Sequence, residues 1–354
     1  MKFREEVFKK KVTDINAFMI SNLKNLYYLT GFDGEGIALI TPDANIIFTD
    51  SRYTEQAKKE SKDFEIITDE AAQKQARLKA LNQNIEKYKI KRLAVEGDFV
   101  SYLNYKEYND FFSVELVDGK KAVEKLRIIK DKDEIIKIHK ACQITTETLK
   151  EISDIIEPGM RELDIANELA YTMRKKGALG EAFEAIVVSG ERTSLPHGKP
   201  SEKKINEGEL ITIDTGSNYQ KYNSDMTRTF VIGKENNKQK EIYNIVFDAQ
   251  KTALESVKPG LKCSELDKIA RDIIKEKGYG QYFGHGLGHG VGLDIHESPR
   301  VSTNDETVLM PGMIITIEPG IYLPNVGGVR IEDTVLVTED GYEVLTWFPK
   351  EMNI

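Results

Sequence analysis

The chain has 354 residues, with 50 basic and 58 acidic side chains and a formal net charge of −8 at pH 7. That balance argues against nucleic acid or an anionic membrane as the main partner, and the length allows two domains with a substantial core. Two cysteines, Cys142 and Cys263, are too few for a disulfide framework; with no signal-peptide pattern in Met1–Glu6 and no apolar run near the roughly 18 residues of a membrane span, they point to a cytoplasmic protein.

Residues 1–120 read as a small α/β domain. Short apolar runs, Gly36–Ile40 and Asn45–Thr49, alternate with helical segments at 54–61 and 71–88, the pattern of a mixed or parallel sheet carrying helices. The turn Asp118-Gly119-Lys120-Lys121 marks the boundary to a larger domain over 121–354. That domain opens on an amphipathic helix from Asp131 to Ile156, with Ile135, Ile138, Cys142, Leu149 and Ile152 near one face and Pro158-Gly159 as its stop. His139, within this helix, reads as a surface or packing residue. His197 follows in the loop Ser194-Leu195-Pro196-His197-Gly198-Lys199 and is a weaker candidate for function.

Two half-buried strands come next, Leu210-Ile211-Thr212-Ile213-Asp214 and Asp225-Met226-Thr227-Arg228-Thr229-Phe230, each alternating apolar and polar residues around a polar loop at 217–223. In a symmetrical hairpin, residues whose numbers sum to 439 face each other, which sets Asp214 opposite Asp225 and Thr212 opposite Thr227. Like charges opposed on one face repel, so a cation is expected between them. A second amphipathic helix, from about Asn237 to Val257, matches the first.

These segments belong to an internal repeat. Ile156-Glu157-Pro158-Gly159-Met160 is echoed by Val257-Lys258-Pro259-Gly260-Leu261, and Glu162-Leu163-Asp164 by Glu265-Leu266-Asp267. Each half reads as helix, Pro-Gly stop, second helix, then a two-stranded ribbon, so the larger domain is α+β with outer helices over antiparallel strands. Two copies of this length are a duplicated subdomain rather than a solenoid. The second ribbon, Ile314-Ile315-Thr316-Ile317-Glu318 and Ile331-Glu332-Asp333-Thr334-Val335-Leu336, pairs Glu318 with Glu332 and Thr316 with Thr334 when numbers sum to 650. Related halves meeting face to face would gather all four carboxylates at their seam.

Between the ribbons, Gly284 to Glu297 carries glycine at 284, 286, 288, 290 and 292 and histidine at 285, 289 and 296. Alternate glycines let backbone or ligand approach closely and rule out a stable helix, so His285 and His289 are not a helical zinc pair. In an extended chain they share a face, one suited to a metal and the other to hydrogen bonding. Four carboxylates with one imidazole suit a pair of divalent first-row metals, and such pairs hydrolyse peptides and phosphoesters. The dinucleotide fingerprint, the phosphate loop, the nucleophile elbow and paired-cysteine metal spacings are all absent.

Jointly these motifs resemble the pita-bread metallopeptidases: aminopeptidase P, prolidase and, more distantly, methionine aminopeptidase. The resemblance covers about residues 125–345 and rests on Asp214, Ser224–Thr229, His285–Glu297, Thr316–Gly320 and Gly328–Asp333. Asn25–Phe32 and Thr49–Tyr53 resemble the creatinase/prolidase N-terminal domain, which favours the proline-directed branch. The resemblance implies a pita-bread domain with a pseudo-twofold repeat behind a creatinase-type domain, and Xaa-Pro hydrolysis of dipeptides or short peptides. It further implies two divalent ions, manganese before cobalt or zinc, held by Asp214, Asp225, His289, Glu318 and Glu332, with Asp225 and Glu332 bridging, and attack by a metal-bridging hydroxide. Glu318 would transfer the proton; His285 and His296 would hold the substrate carbonyl and oxyanion; His197 would line the proline pocket, with Arg330 behind the site. Arg300 resembles the prolidase arginine that grips a dipeptide's terminal carboxylate, so a dipeptidase is expected over an aminopeptidase P. A homodimer is implied as well. Non-catalytic pita-bread binding modules and metal-free creatinase lack the full ligand set, which is intact here.

Overall fold

The computed structural model describes residues 15–69 and 74–353. The chain divides into two compact units, one ending at Leu126 and the other running from Arg127. Among the described residues no helix is long and apolar enough to cross a membrane.

The first unit holds strands β1 (Ala17–Ile20), β2 (Gly36–Ile40), β3 (Asn45–Asp50), β4 (Glu65–Asp69), β5 (Arg92–Val95) and β6 (Glu115–Asp118) in one sheet of order β4-β3-β2-β1-β5-β6. The sheet is mixed: β2 runs antiparallel to β1 and β3, while β3–β4, β1–β5 and β5–β6 are parallel. Helices α1 (Leu23–Thr30), α2 (Thr54–Glu60), α3 (Lys74–Lys87) and α4 (Tyr102–Phe111) connect the strands, and α5 (Ala122–Arg127) follows them. Of the helix expected over 71–88, residues 71–73 lie outside the described ones. Ile46 and Phe48 of β3 pack with Leu78, Leu81 and Ile85 of α3. Ile47, pointing to the opposite face, is equally buried, which is why this strand reads as a continuous apolar run.

The second unit repeats one plan. Its first half has α6 (Lys132–Ser153), α7 (Glu162–Lys175), a short strand β7 (Gly180–Glu181), and strands β8 (Ile186–Ser189), β9 (Leu210–Thr215) and β12 (Met226–Val231) in the order β12-β9-β8. Its second half has α8 (Asn237–Glu255), α9 (Cys263–Glu276), and a sheet in which β13 (Gly288–Gly290), β15 (Ile314–Ile317) and β18 (Asp333–Val337) are neighbours, flanked by β14 (Glu297–Val301) and β19 (Tyr342–Val344). Reciprocal capping boxes open the two long helices, Asp131 with Glu134 and Asn236 with Gln239, satisfying N–H groups that the first turn leaves unpaired. Gly159 and Gly260 follow them in the left-handed region, at φ 98° and 87°. Ile138, Cys142, Leu149 and Ile152 of α6 are buried, Ile135 is half-buried and His139 is exposed. Both cysteines are free and buried. Asn236→Ala is expected to cost about 1 kcal/mol of stability in urea unfolding and to leave activity unchanged.

The halves meet along β12. Cross-half bonds run along it: the Glu332 amide donates to Thr227 O at 3.0 Å, Thr334 Oγ1 donates to Asp225 O at 2.7 Å, and Thr229 Oγ1 donates to Arg330 O at 2.9 Å. Behind this seam the Arg228 guanidinium, 1% exposed, reaches Asp333 Oδ1 at 2.7 Å and the Glu332 carbonyl at 2.5 Å. A buried ion pair with this many hydrogen bonds fixes the backbone on both sides of Glu332.

The second ribbon has the expected register. Thr316 faces Thr334 and Ile317 faces Asp333, and the same sum of 650 continues through β16 (Gly320–Leu323) and β17 (Gly327–Arg330). The first ribbon does not. Asp214 faces Thr227, and Thr212 faces Thr229 with their hydroxyl oxygens 3.0 Å apart; Asp225 lies beyond the paired strands. The supposed loop is itself a tight hairpin of β10 (Ser217–Tyr219) and β11 (Tyr222–Asn223), turning at Gln220 and Lys221 with φ of 47° and 73°. That turn centres the pairing one residue further along the chain, so opposed numbers sum to 441. A slip of two keeps every side chain on its expected face.

Candidate metal centre and active site

His289 is presented by β13, where the neighbouring glycines are required by close approach. A Cβ on Gly288 would lie 2.0 Å from the Thr316 carbonyl oxygen, and one on Gly290 would lie 2.4 Å from that of Ser298. The His289 amide donates to Thr316 Oγ1 at 3.0 Å, and its ring Nδ1 lies 3.1 Å from the Gly290 carbonyl. A carbonyl only accepts, so Nδ1 carries the proton and Nε2 presents a lone pair. Nε2 lies 3.5 Å from Asp225 Oδ2 and 3.3 Å from Glu318 Oε1. One ligand atom from each of Asp225, His289 and Glu332 lies within 4.8 Å of the other two.

The carboxylates are held from behind. Thr227 Oγ1 donates to Glu332 Oε2 at 2.6 Å and Thr316 Oγ1 to Glu318 Oε1 at 3.1 Å. Asp214 Oδ2 accepts from Arg330 Nη2 at 2.7 Å. Asp214 Oδ1 and Glu332 Oε1 are buried without a hydrogen-bond partner. Burial, followed by the neighbouring carboxylates, raises Asp225 and Glu332 well above the usual carboxylate range. Burial likewise pushes Glu318 up to about 8, against the pull of Arg330. Desolvation takes His289 down to about 3, so its ring is neutral at physiological pH. A lone pair aimed at acids, orphaned carboxylate oxygens and three acids that resist ionising together all fit divalent cations among Asp214, Asp225, His289, Glu318 and Glu332.

A second chain of contacts leads away from the acids. Arg330 Nη1 donates to Tyr322 Oη at 2.9 Å, and Tyr322 Oη lies 2.9 Å from His285 Nε2. His285 Nδ1 is 2.8 Å from the Gly286 carbonyl, so Nε2 accepts the tyrosine proton and both ring nitrogens are engaged. Burial, then Arg330, lowers the His285 pKa to about 4. Tyr322 was not marked by the sequence pattern: a buried tyrosine on an alternating strand looks like core. The small residue two positions earlier is the one clue, since a Cβ on Gly320 would lie 2.5 Å from Tyr322 Oη.

His285 and Tyr322 line a cavity of about 570 Å³ together with Pro196, His197, Tyr282 and Pro324. The structure therefore brings His197 to His285 although they are far apart in the chain. His296 is exposed, with its ring centroid 4.2 Å from that of His289. Arg300 lies opposite His289 on β14, exposed and without an ion pair among the described residues.

This geometry defines a hydrolase-type site built for divalent metal. The family model for metallopeptidase family M24 matches residues 136–339, and that for the Creatinase/Prolidase N-terminal domain matches 3–129. A Xaa-Pro dipeptidase of Pyrococcus furiosus is 45% identical over 344 residues, 96% of this chain and 95% of that protein. The structure of a Xaa-Pro dipeptidase from Bacillus anthracis superposes with TM-score 0.97 at 40% identity, covering 100% of this chain and 99% of the other. That of an X-Pro aminopeptidase from Thermotoga maritima gives 0.90 at 39%, covering 98% and 99%. The chain belongs to metallopeptidase family M24. Its second unit is a pita-bread fold and its first a creatinase-type domain, as the motifs led one to expect.

Proposed function

We propose that the chain hydrolyses the peptide bond before proline in Xaa-Pro dipeptides and short peptides, with dipeptides preferred. The observation that carries this reading is the neutral His289 Nε2 facing Asp225 and Glu318 at 3.5 and 3.3 Å, in a family of metallopeptidases. In it, residues 121–354 form the catalytic domain, preceded in the chain by a creatinase/prolidase-like domain over 1–120. Asp214, Asp225, His289, Glu318 and Glu332 hold two divalent ions, with manganese favoured by an oxygen-rich set carrying one imidazole. Bound there, such ions make water a nucleophile at neutral pH and neutralise charge developing on the substrate carbonyl.

The chain's own groups do the rest. Glu318, whose burial raises its proton affinity, takes the proton from the attacking water and delivers it to the departing proline nitrogen. His296 and His285 stand at the substrate carbonyl and the oxyanion; with its proton on Nδ1, His285 acts there through the Tyr322 hydroxyl, which turns from His285 Nε2 to donate to the incoming oxygen. Arg330 holds Asp214 in place through Nη2 while Nη1 fixes Tyr322. His197 lines the cavity that takes the proline ring, and Pro196, Tyr282 and Pro324 supply its apolar walls. Arg300, exposed opposite His289, receives the free carboxylate of a dipeptide in a charge-assisted bond. A cytoplasmic homodimer completes the proposal, tested by light scattering of the purified protein, where a monomeric mass would refute the dimer.

The substrate reading is tested with Ala-Pro beside Ala-Pro-Ala, in manganese, using wild type and Arg300→Ala. Preferential dipeptide cleavage, with KM for Ala-Pro raised about 10- to 100-fold by the substitution, is the expected outcome. A preference for the tripeptide that ignores Arg300 would instead make the protein an aminopeptidase. Failure to cleave either peptide would leave a peptide-binding module.

A further inference from the structure

The loop that carries His296 is gripped by two buried cations that have no part in the chemistry above. Arg127, its side chain 3% exposed, donates through Nη2 to Asp294 Oδ2 at 2.5 Å and to Glu297 Oε2 at 2.6 Å. Lys130, its side chain 1% exposed, places Nζ 2.8 Å from Glu297 Oε1. Both carboxylates belong to the stretch Asp294-Ile295-His296-Glu297, one on each side of the histidine. The cations are themselves anchored, since the Lys130 amide donates to the Gly312 carbonyl at 2.8 Å and Ile129 bridges to Met313, the residue before β15.

The residues just before Asp294 are tied to the segment that leads into the acid cluster. The Asn223 amide donates to the Gly292 carbonyl at 2.9 Å, and its side chain donates to the Gly292 and Leu293 carbonyls at 3.1 Å each. Asn223 stands two residues before Asp225. Glu297 also packs against Gly292, where an added Cβ would lie 2.5 Å from Glu297 Oε1. The loop is thus held by Asn223 at residues 292 and 293 and by the Arg127–Lys130 pair at residues 294 and 297, with the His296 ring against that of His289.

We propose that Arg127 and Lys130 are positioning residues: by clamping Asp294 and Glu297 they set where the His296 imidazole stands relative to His289, and so align the substrate carbonyl for attack. Buried cations of this kind are poor sources of net stability, because desolvation consumes most of the Coulombic gain. A loop cross-braced on both flanks of one histidine is the arrangement that holds a side chain to the tolerance catalysis needs. Arg127 reaches two carboxylates at once through Nη2 of its planar guanidinium, a geometry that the lysine ammonium reproduces only in part.

This proposal rests on the peptidase reading, and its test separates the two. Arg127→Met is made in the wild-type and His296→Ala backgrounds, with Arg127→Lys as the conservative partner, and metal content is measured for each. Expected is a fall in kcat of about 10- to 100-fold on Ala-Pro with KM nearly unchanged, full metal content, and partial recovery in Arg127→Lys. In the His296→Ala background the same change is expected to cost less than about threefold, because the group it positions is gone. Hydrogen–deuterium exchange supplies a readout independent of substrate: residues 290–297 exchange faster in Arg127→Met while β9 and β12 keep wild-type protection. Equal losses of kcat in both backgrounds, or unchanged exchange of 290–297, would overturn the clamp. If wild type itself cleaves no Xaa-Pro peptide, the peptidase reading fails, while the exchange result still decides whether the clamp holds the loop.

Discussion

Asp225→Asn is expected to lower Xaa-Pro hydrolysis by about 10³-fold or more, with the fold intact and metal content reduced. Asp225 is one of three residues whose ligand atoms converge within 4.8 Å, and its Oδ2 faces the unprotonated nitrogen of His289. Its own backbone carbonyl, not its side chain, makes the bond to Thr334 that ties the halves together. The substitution therefore removes a charge without removing a structural contact. Without metal, the variant is expected to be at least as stable as wild type at pH 8, because one of several mutually repelling acids is gone. Circular dichroism, metal analysis and rate measurements on the same preparation check all three points. Activity within tenfold of wild type, or a metal-free variant that is unfolded, would contradict them.

Metal removal is expected to destabilise the protein, and more so at higher pH. Asp225, Glu318 and Glu332 all have raised folded-state pKa values when no cation sits among them, Glu318 near 8 against an ordinary 4.5. A raised carboxylate takes protons in the folded state that the unfolded chain has already released. Its contribution is fully present below the unfolded pKa and is lost as pH rises through the folded one, here between about 4.5 and 8 for Glu318. Metal binding displaces those protons, so the loss disappears in the loaded protein. At a metal concentration about 1,000 times Kd the gain is about 4 kcal/mol, or roughly 8 to 16 °C in Tm for a unit of this size. Scanning calorimetry with chelator and with manganese, at pH 6 and pH 8, should show a gap that widens with pH. A gap that narrows toward pH 8 would refute this electrostatic picture.

Much of this site was legible because chemistry and geometry left the same mark twice. The second ribbon carries Asn325 at φ 63° and Gly327 at φ 138°, residues whose types announce a turn, and its register follows from them. The first ribbon turns on Gln220 and Lys221, neither of which advertises a left-handed conformation, so Asp214 was set against the wrong partner. The error was harmless to the chemistry because face alternation survives a slip of two. The duplicated helices were readable from their apolar periodicity and Pro-Gly stops, which act locally. Tyr322, Arg127 and Lys130 were not, because each matters through partners far along the chain. Arg127 lies 167 positions from Asp294, and nothing near either residue records the other. The meeting of His197 with His285 is of the same kind: spacing says little about contacts that only the packed halves create.

The central claim is that Asp214, Asp225, His289, Glu318 and Glu332 hold a catalytic pair of divalent ions. The most direct test is to titrate the metal-free protein with manganese while following Ala-Pro hydrolysis and bound metal together. Activity that rises in step with occupancy and saturates at two ions per chain is the predicted result. Full hydrolysis by protein carrying no metal, or saturation without any gain in activity, would contradict it.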